Sequence, residues 1–253
     1  MLPLPRALLL ACVLAWALCA PPARADAPPG PEGLAYLTEQ YYPYNYAENG
    51  AVRGLSVDLL RLVWARMGMA ERPVTVQPWA RVYDAALTQP GTVAFSMART
   101  PERETLFKWA CPIDAVRFVL FSRAADTART LSSSSLEHLA VGTVRGDVAE
   151  AALLDLGHPV RIEPVADMEL NLRKLDAGRL DLVAYEERSM RRLLERTGRD
   201  PGAYAVVMVL RQTEVCYAFH RETPDALVAR FQQALDEVLA GPEYEALVAR
   251  YLE

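Results

Sequence analysis

The arginine at position 103 has the sequence surroundings of an anion-binding group. Residues 92–97 form an apolar run with β-branched members, which is typical of a buried parallel strand. Thr100, Pro101 and Glu102 then form a typical helix start, with a hydroxyl residue, a proline and an acid in succession. Arg103 would lie in the first turn, where free backbone N–H groups and a guanidinium together match a carboxylate. The pattern predicts an anion site at a strand-to-helix junction.

A simpler interpretation of Arg103 remains open at this stage. Glu102 and Glu104 flank it, and an arbitrary arginine in such a sequence most often forms a surface ion pair. The position of Arg103 after a strand makes a binding role about as well supported as the surface ion pair, because open α/β sheets bind ligands at the carboxyl ends of their strands.

Two aromatic residues follow other strands and could line the same site. Tyr41 comes just after the first short strand, in a loop with four tyrosines around a proline, and could cover one face of a ligand. Trp79 follows the next strand and could form a wall of the pocket, although a buried structural role is an equal alternative. Ser96 ends the strand that precedes Arg103.

A second strand-to-helix junction occurs at residues 146–148. The strand over residues 140–144 is followed by Gly146, Asp147 and Val148, and this turn could contact the other side of an anion. Asp147 could instead occupy the free N–H groups itself, as a helix cap. Glu186 follows a further strand and could contact a cationic group, or simply favour the dipole of the next helix.

Two of the four cysteines, Cys111 and Cys216, lie in apolar, strand-like segments. An oxidising compartment would permit a disulfide between them, and two buried thiols are the alternative, because spacing alone does not give the geometry. The three histidines are scattered singly, so neither a zinc site nor a Cys–His pair is indicated. We therefore expect no metal and no cofactor.

The amino-terminal residues predict export. An arginine, an apolar run and an Ala-Arg-Ala sequence ending at Ala25 are typical of a signal peptide over residues 1–25, and the run is too short to span a membrane. Cleavage after Ala25 would release the chain to the periplasm without membrane insertion. The net charge of −5, with no basic cluster in the sequence, argues against nucleic acid and anionic lipid as partners.

Strands and helices alternate through the rest of the chain in two successive blocks of about a hundred residues. Each block has one junction suited to a ligand, which predicts two α/β lobes that face one another across a cleft. Short strand-like segments near residues 111–118 and 211–219 would serve as hinges.

Several segments resemble a known family. GLSVDLLRLVWARMG, RTPERE followed by FKWACPI, VGTVRGD and LDAGRLDLVAYEE resemble the extracellular solute-binding proteins of family 3, which are periplasmic receptors of polar amino acid ABC importers. The resemblance implies a type II periplasmic-binding-protein fold with two mostly parallel lobes flanked by helices and joined by two hinge strands. It implies lobe 1 over residues 26–114 and 215–253, and lobe 2 over residues 115–214.

The resemblance also implies roles for particular residues. Arg103 matches the arginine that binds the ligand's α-carboxylate, and the turn at residues 146–148 matches a second contact to it. Ser96 and Tyr41 match ligand-contacting positions, and Glu186 matches an acid that pairs with the α-amino group. Thr38 replaces an acid found in binders of basic amino acids and Arg99 adds a cation beside Arg103, so an anionic or neutral ligand, or one other than an α-amino acid, is expected.

The function implied is capture of an amino acid or similar small carboxylate by cleft closure, without catalysis, by a monomer that delivers its ligand to an ABC permease. The same fold resembles that of periplasmic cyclohexadienyl dehydratases, for which Glu186 is the best acid–base candidate. A free-standing ligand sensor is a second alternative.

Overall fold

The computed structural model describes residues 33–126 and 133–253, so the predicted signal peptide lies outside the described residues. Within these ranges the chain forms ten β-strands and seven α-helices. The strands are β1 Ala35–Thr38, β2 Tyr46–Glu48, β3 Ala51–Arg53, β4 Val74–Val76, β5 Thr92–Ala98, β6 Phe107–Arg123, β7 Ala140–Val144, β8 Arg161–Val165, β9 Leu182–Glu186 and β10 Tyr204–His220. The helices are α1 Leu55–Arg66, α2 Trp79–Thr88, α3 Val148–Leu154, α4 Met168–Asp176, α5 Glu187–Arg196, α6 Asp225–Leu239 and α7 Pro242–Tyr251.

Eight of the strands form one sheet in the order β4-β1-β5-β10-β6-β9-β7-β8. At one end β4, β1 and β5 are parallel, and at the other end β9, β7 and β8 are parallel. We call β1–β5 with α1, α2, α6 and α7 the first half, and β7–β9 with α3, α4 and α5 the second half. This mixed, mostly parallel sheet with flanking helices confirms the predicted α/β fold class.

The two halves are joined by β6 and β10, which are antiparallel to each other and to their outer neighbours β9 and β5. Each is a continuous strand of 17 residues. The sequence analysis predicted only short strand-like segments near residues 111–118 and 211–219. The strands are longer, because exposed polar residues such as Arg117 and Gln212 lie within the ribbon and not in loops. The pairing runs from Tyr204 opposite Arg123 to His220 opposite Phe107, so the ribbon crosses the whole molecule.

The predicted helix start at residues 100–102 is also wrong. Residues 101–106 form turns, in which the N–H of Arg103 donates to the carbonyl of Thr100 (3.0 Å) and that of Leu106 donates to the carbonyl of Arg103 (3.0 Å). β6 begins at Phe107, so too few residues remain for a stable helix. Arg103 is therefore positioned by tight turns and not by a helix terminus.

The loop that carries Tyr41 is attached to the start of α1. Backbone N–H groups of Leu55 and Ser56 donate to the carbonyls of Pro43 (3.1 Å) and Tyr44 (2.8 Å). Gly54 has a φ of 122°, and a Cβ there would lie 2.3 Å from the Tyr44 carbonyl oxygen. Only glycine satisfies both conditions, so this residue allows the loop to lie close to the helix.

Cys111 in β6 and Cys216 in β10 form a disulfide in the structure, with Cα atoms 4.7 Å apart. Of the two alternatives left open by the sequence, the structure has the bridge and not the two thiols. The cysteines are 105 residues apart in sequence, and the covalent loop contains the entire second half. Over the described ranges, none of the helices combines the length and the apolar character needed to cross a bilayer.

Candidate functional site

Arg103 lies buried between the two halves. The residue is only 8% exposed. Its guanidinium carbon is 5.5 Å from the ring centroid of Trp79 and 5.0 Å from that of Tyr83. Its Nη atoms donate to the carbonyls of Ala98 (3.3 Å) and Gly146 (3.4 Å). Among the described residues no acid lies within ion-pair distance of it. Burial lowers the pKa of Arg103, but an arginine stays charged, so a buried cation remains for an anionic partner.

The carbonyl oxygen of Gly146 is a point of contact between the halves. It accepts a hydrogen bond from Nε1 of Trp79 (2.8 Å) as well as the one from Arg103. Trp79 is the first residue of α2, and Gly146 lies in the turn between β7 and α3. These contacts reduce the space beside Arg103 to a gap of about 10 Å³, lined by Glu39, Tyr41, Trp79, Ser96, Ala98, Arg103, Phe118, Asp147 and Tyr185.

Two carboxyl groups, one from each half, share this gap with Arg103. Burial raises the pKa of Glu39 well above its usual range, Asp147 raises it further, and Arg103 lowers it. Burial likewise raises the pKa of Asp147 to about 6, against the opposing effect of Arg103. One cation and two carboxyl groups with raised pKa values therefore face one another, an arrangement that a ligand with both charges would complement.

Glu39 was missed by the sequence analysis, which considered its neighbour Thr38. Thr38 is fully buried, and its hydroxyl donates to the carbonyl of Phe95 (3.3 Å). Glu39 is the first residue after β1, and the carboxyl end of a parallel strand was already the expected position for a binding residue. That rule would have identified Glu39, but the resemblance assigned the position to Thr38.

Two tyrosines, Tyr41 and Tyr185, line the gap, and a third, Tyr44, packs on Tyr41. Tyr41 stacks on Tyr44 with centroids 5.1 Å apart and meets Tyr185 edge to face at 5.8 Å. The hydroxyl of Tyr41 is buried and has no hydrogen-bond partner in the described part of the chain. An unpaired buried hydroxyl is costly, so this group is suited to contact a polar ligand atom.

Ser96 has a strained backbone, with a φ of 57° inside β5. The pairing of β5 with β10 shifts register at this point, and Ser96 is the residue without an opposite partner. Its Oγ donates to Oγ of Ser56 at the start of α1 (2.7 Å). A strained backbone is kept only where the surrounding contacts hold it in place, and it often marks a binding site. Ser96 lines the gap beside Arg103.

Arg99 is not in this group. Its Nε and Nη2 atoms donate to the two oxygens of Glu104 (2.8 and 2.6 Å), and its guanidinium lies over the ring of Trp109. Ala98 and Arg99 are consecutive residues whose side chains lie on different sides of the chain, and it is Ala98 that lines the gap. The surface ion pair considered for Arg103 is thus formed by Arg99, and the sequence analysis was wrong to place this cation in the site.

The remaining predicted residues act mainly as helix caps. The carboxylate of Asp147 accepts from the N–H of Val148 (2.6 Å), so that N–H is not free, and the Val148 side chain is buried. Glu186 is 2% exposed, and its carboxylate accepts from the N–H groups of Arg188 (3.0 Å) and Ser189 (2.7 Å). Burial raises the pKa of Glu186. Glu186 does not line the gap beside Arg103.

A larger cavity of about 310 Å³ adjoins the gap. Glu39, Trp79 and Tyr185 line both spaces. The other lining residues are Gln40, Val76, Gln77, Pro78, Val144, Ala166, Asp167 and Met168. The volume lies at the lower end of the range for small-molecule sites. Its aromatic walls and polar ends suit the side chain of a ligand whose charged groups lie beside Arg103.

The raised pKa of Asp147 predicts a specific pH dependence of stability. The folded protein favours the protonated carboxyl, so this contribution is present at low pH and is lost as the pH rises through about 6. In Asp147→Asn, which keeps a capping oxygen, we expect the free energy of unfolding at pH 7.5 to exceed that of the wild type by on the order of 1–3 kcal/mol. The difference should vanish near pH 4, as measured by urea unfolding.

Asp167→Asn is the matched control, because Asp167 caps α4 in the same way, accepting from the N–H of Glu169 at 2.6 Å. If the free energies of unfolding of Asp147→Asn and the wild type differed by the same amount at every pH from 4 to 7.5, Asp147 would not titrate in this range.

The sheet order, the two crossing strands and a polar site between two parallel sets of strands define the type II periplasmic-binding-protein fold. The family model for bacterial extracellular solute-binding proteins, family 3, matches residues 35–253. The chain belongs to this family, which confirms the resemblance stated from the sequence.

Solved structures support the fold at low sequence identity. A periplasmic binding protein from Salmonella typhimurium, described for its high arginine specificity, is 19% identical with a TM-score of 0.74, covering 87% of this chain and 99% of its own. An ancestral amino acid-binding protein described as a precursor of cyclohexadienyl dehydratase is 16% identical with a TM-score of 0.74, covering 88% and 96%. The GluR0 ligand-binding core from Nostoc punctiforme, in complex with L-glutamate, is 19% identical with a TM-score of 0.74, covering 86% and 98%. No protein with a curated description matches the sequence.

Proposed function

We propose that this chain is a periplasmic binding protein that captures an amino acid between its two halves and delivers it to an ABC permease. One observation carries the proposal: Arg103 is buried between the halves, and none of the acids in the described part of the chain lies within ion-pair distance of it. A buried cation without a directly hydrogen-bonded anion is costly, and a ligand carboxylate would supply that contact. Family membership and the binding functions named for the structural relatives agree with this role.

The ligand chemistry follows from the charges at the site. The carboxylate of the ligand pairs with Arg103, and its ammonium group lies between Glu39 and Asp147, where a positive charge would restore both acids to their ionised form. The side chain enters the cavity between Trp79 and Tyr185. An anionic ligand was expected because Arg99 would add a cation and Thr38 would remove an acid. Arg99 lies outside the gap and Glu39 supplies an acid inside it, so neither reason remains. We propose an α-amino acid with a neutral or cationic side chain.

The proposed mechanism is closure of two lobes. The first half, corresponding to residues 26–114 and 215–253, and the second, corresponding to residues 115–214, turn on β6 and β10. The gap beside Arg103 is too small for an amino acid, so the halves must separate for entry and lose the Trp79–Gly146 hydrogen bond. Bound ligand then contacts both halves and favours their approach.

A thermal-shift screen of the twenty amino acids, with calorimetry of the hits, tests this function on residues 26–253. We expect at least one L-amino acid to raise the melting temperature by several degrees, because a ligand at about 100 times its Kd adds about 2.7 kcal/mol to stability. Butyrate and putrescine, which each lack one charge type, should have no effect. Stabilisation by butyrate alone would contradict the ammonium contact, and no response to any amino acid would contradict the function.

A second candidate is a dehydratase-type enzyme. The observation that favours it is the pair of carboxyl groups, Glu39 and Asp147, whose raised pKa values suit proton transfer beside a carboxylate-binding arginine. Glu186, the acid proposed from the sequence, is less suited because its carboxylate caps α5. Incubation with prephenate and arogenate, with chromatography of the products, separates the candidates: turnover favours the enzyme, and binding without turnover favours the receptor.

A further inference from the structure

A separate cavity of about 260 Å³ is lined by arginines and tyrosines without any acidic residue. The six lining residues are Tyr42, Tyr46, Arg53, Arg192, Arg250 and Tyr251. We call this space the arginine–tyrosine cavity. None of the six lines the gap beside Arg103. Its composition is unexpected for a chain with a net charge of −5, and the sequence gives no sign of it, because the arginines are widely spaced along the chain.

The cavity is built from both halves of the molecule. Arg53 is the last residue of β3, and Arg250 and Tyr251 end α7, all in the first half. Arg192 lies on α5 in the second half. Arg196, also on α5, adds a fourth guanidinium group nearby. Its carbon lies 4.8 Å from the ring centroid of Tyr42 and 5.4 Å from that of Tyr46. An occupant of the cavity would therefore contact the two halves at once.

The acids around these arginines do not neutralise all of their positive charge, and the remaining charge faces the cavity. Arg53 pairs with Tyr46 through its backbone, but its side chain has no hydrogen-bond or ion-pair partner within residues 33–126 and 133–253. Arg192 pairs with Glu195 on its own helix (3.0 Å), while Arg250 has only a longer contact of 3.5 Å with Asp58 and a side chain that is 64% exposed. Asp58 also pairs with Arg61 and accepts from Tyr251. One carboxylate thus serves several donors, and guanidinium N–H groups remain for an anion.

We propose that the arginine–tyrosine cavity binds a small polyvalent oxyanion, that is, a phosphate or a di- or tricarboxylate group. Guanidinium groups bind such oxygens in a planar, bidentate manner. The hydroxyl of Tyr251 already donates to Asp58, so the neutral donors that remain at the cavity are the phenol hydroxyls of Tyr42 and Tyr46. Three arginines around one half-open cavity match an anion with two or more charges better than chloride. Because the anion touches both halves, it favours the arrangement in which they are together and couples to the ligand site by linkage.

Isothermal titration of residues 26–253 with citrate and with pyrophosphate, against sodium chloride at equal ionic strength, tests the proposal. We expect at least one of the two polyvalent anions to bind with 1:1 stoichiometry, and binding to weaken at least tenfold in Arg53→Gln/Arg250→Gln. The matched control, Arg161→Gln/Arg179→Gln, removes the same charge from exposed positions of the second half, and its affinity should equal that of the wild type. No amino acid is present, so this result is independent of the proposed ligand.

Two sources of the oxyanion are distinguished by vesicles. Co-sedimentation with phosphatidic acid vesicles, whose phosphomonoester headgroup carries up to two negative charges, but not with phosphatidylcholine vesicles, lost in Arg53→Gln/Arg250→Gln and kept in the control, would assign the oxyanion to a lipid headgroup. Binding of citrate or pyrophosphate without vesicle binding would assign it to a soluble metabolite. Absence of both, or equal affinity in the two double variants, would overturn the proposal.

Discussion

Arg103→Ala is expected to lower amino-acid affinity by tenfold to a hundredfold or more. A charge-assisted hydrogen bond contributes about 1.5–3 kcal/mol, and a tenfold change in affinity corresponds to about 1.4 kcal/mol. Arg103 is also the only side chain in the gap that carries a permanent positive charge. Calorimetry with the amino acid found in the thermal-shift screen measures the effect directly.

Arg99→Ala is the matched control for this prediction. It removes an arginine four positions away whose charge is taken up by Glu104, and we expect its affinity to stay within about twofold of the wild type. Both variants should retain wild-type circular dichroism. If Arg103→Ala bound the ligand as tightly as Arg99→Ala, the carboxylate contact would be wrong, whatever the ligand proved to be.

Loss of the Cys111–Cys216 disulfide is expected to destabilise the protein by about 2–5 kcal/mol. In the chain-entropy view, cross-linking a loop of about 100 residues stabilises the folded state by about 4.7 kcal/mol, and native-state relaxation reduces this value. The loop here spans 105 residues, so the effect should fall in the upper part of the range. Urea unfolding of Cys111→Ser/Cys216→Ser against the oxidised wild type gives the difference.

The reductant supplies an internal control for the disulfide. Dithiothreitol should lower the wild-type stability toward that of the double variant and should leave the double variant unchanged. In the protein of residues 26–253, Cys111 and Cys216 are the only cysteines, so two free thiols per molecule in the untreated, denatured sample, measured with a thiol reagent, would show that the bridge is not formed in solution.

Much of the fold was predictable because local patterns decided it. The run that became β7 was predicted with its observed bounds at residues 140–144, since an unbroken apolar run between turns is typical of a buried parallel strand. Asp147, which the sequence analysis considered as a helix cap, caps α3. The failures lie where tertiary context prevailed: β6 and β10 continue through polar residues because each pairs with the other, which no local pattern reports.

The site was only partly predictable for a similar reason. Arg103 and Asp147 were predicted as binding residues because each follows a strand at a recognisable turn, and both line the gap. Arg99 and Glu39 were misjudged because side-chain direction at a strand end depends on single-residue register: Ala98 faces the site and Arg99 does not, while Glu39 faces it and Thr38 does not. The arginine–tyrosine cavity was beyond prediction, because its residues are close only in the folded chain.

The continuity of the sheet determines how the molecule could change shape. The halves share one hydrogen-bonded ribbon, β6 with β10, and no loop interrupts it. A change in the relative orientation of the halves would therefore be absorbed as added twist along two paired strands, a deformation that leaves their backbone hydrogen bonds intact. Amide protons in the middle of this ribbon would then exchange slowly with solvent in the presence and in the absence of ligand alike.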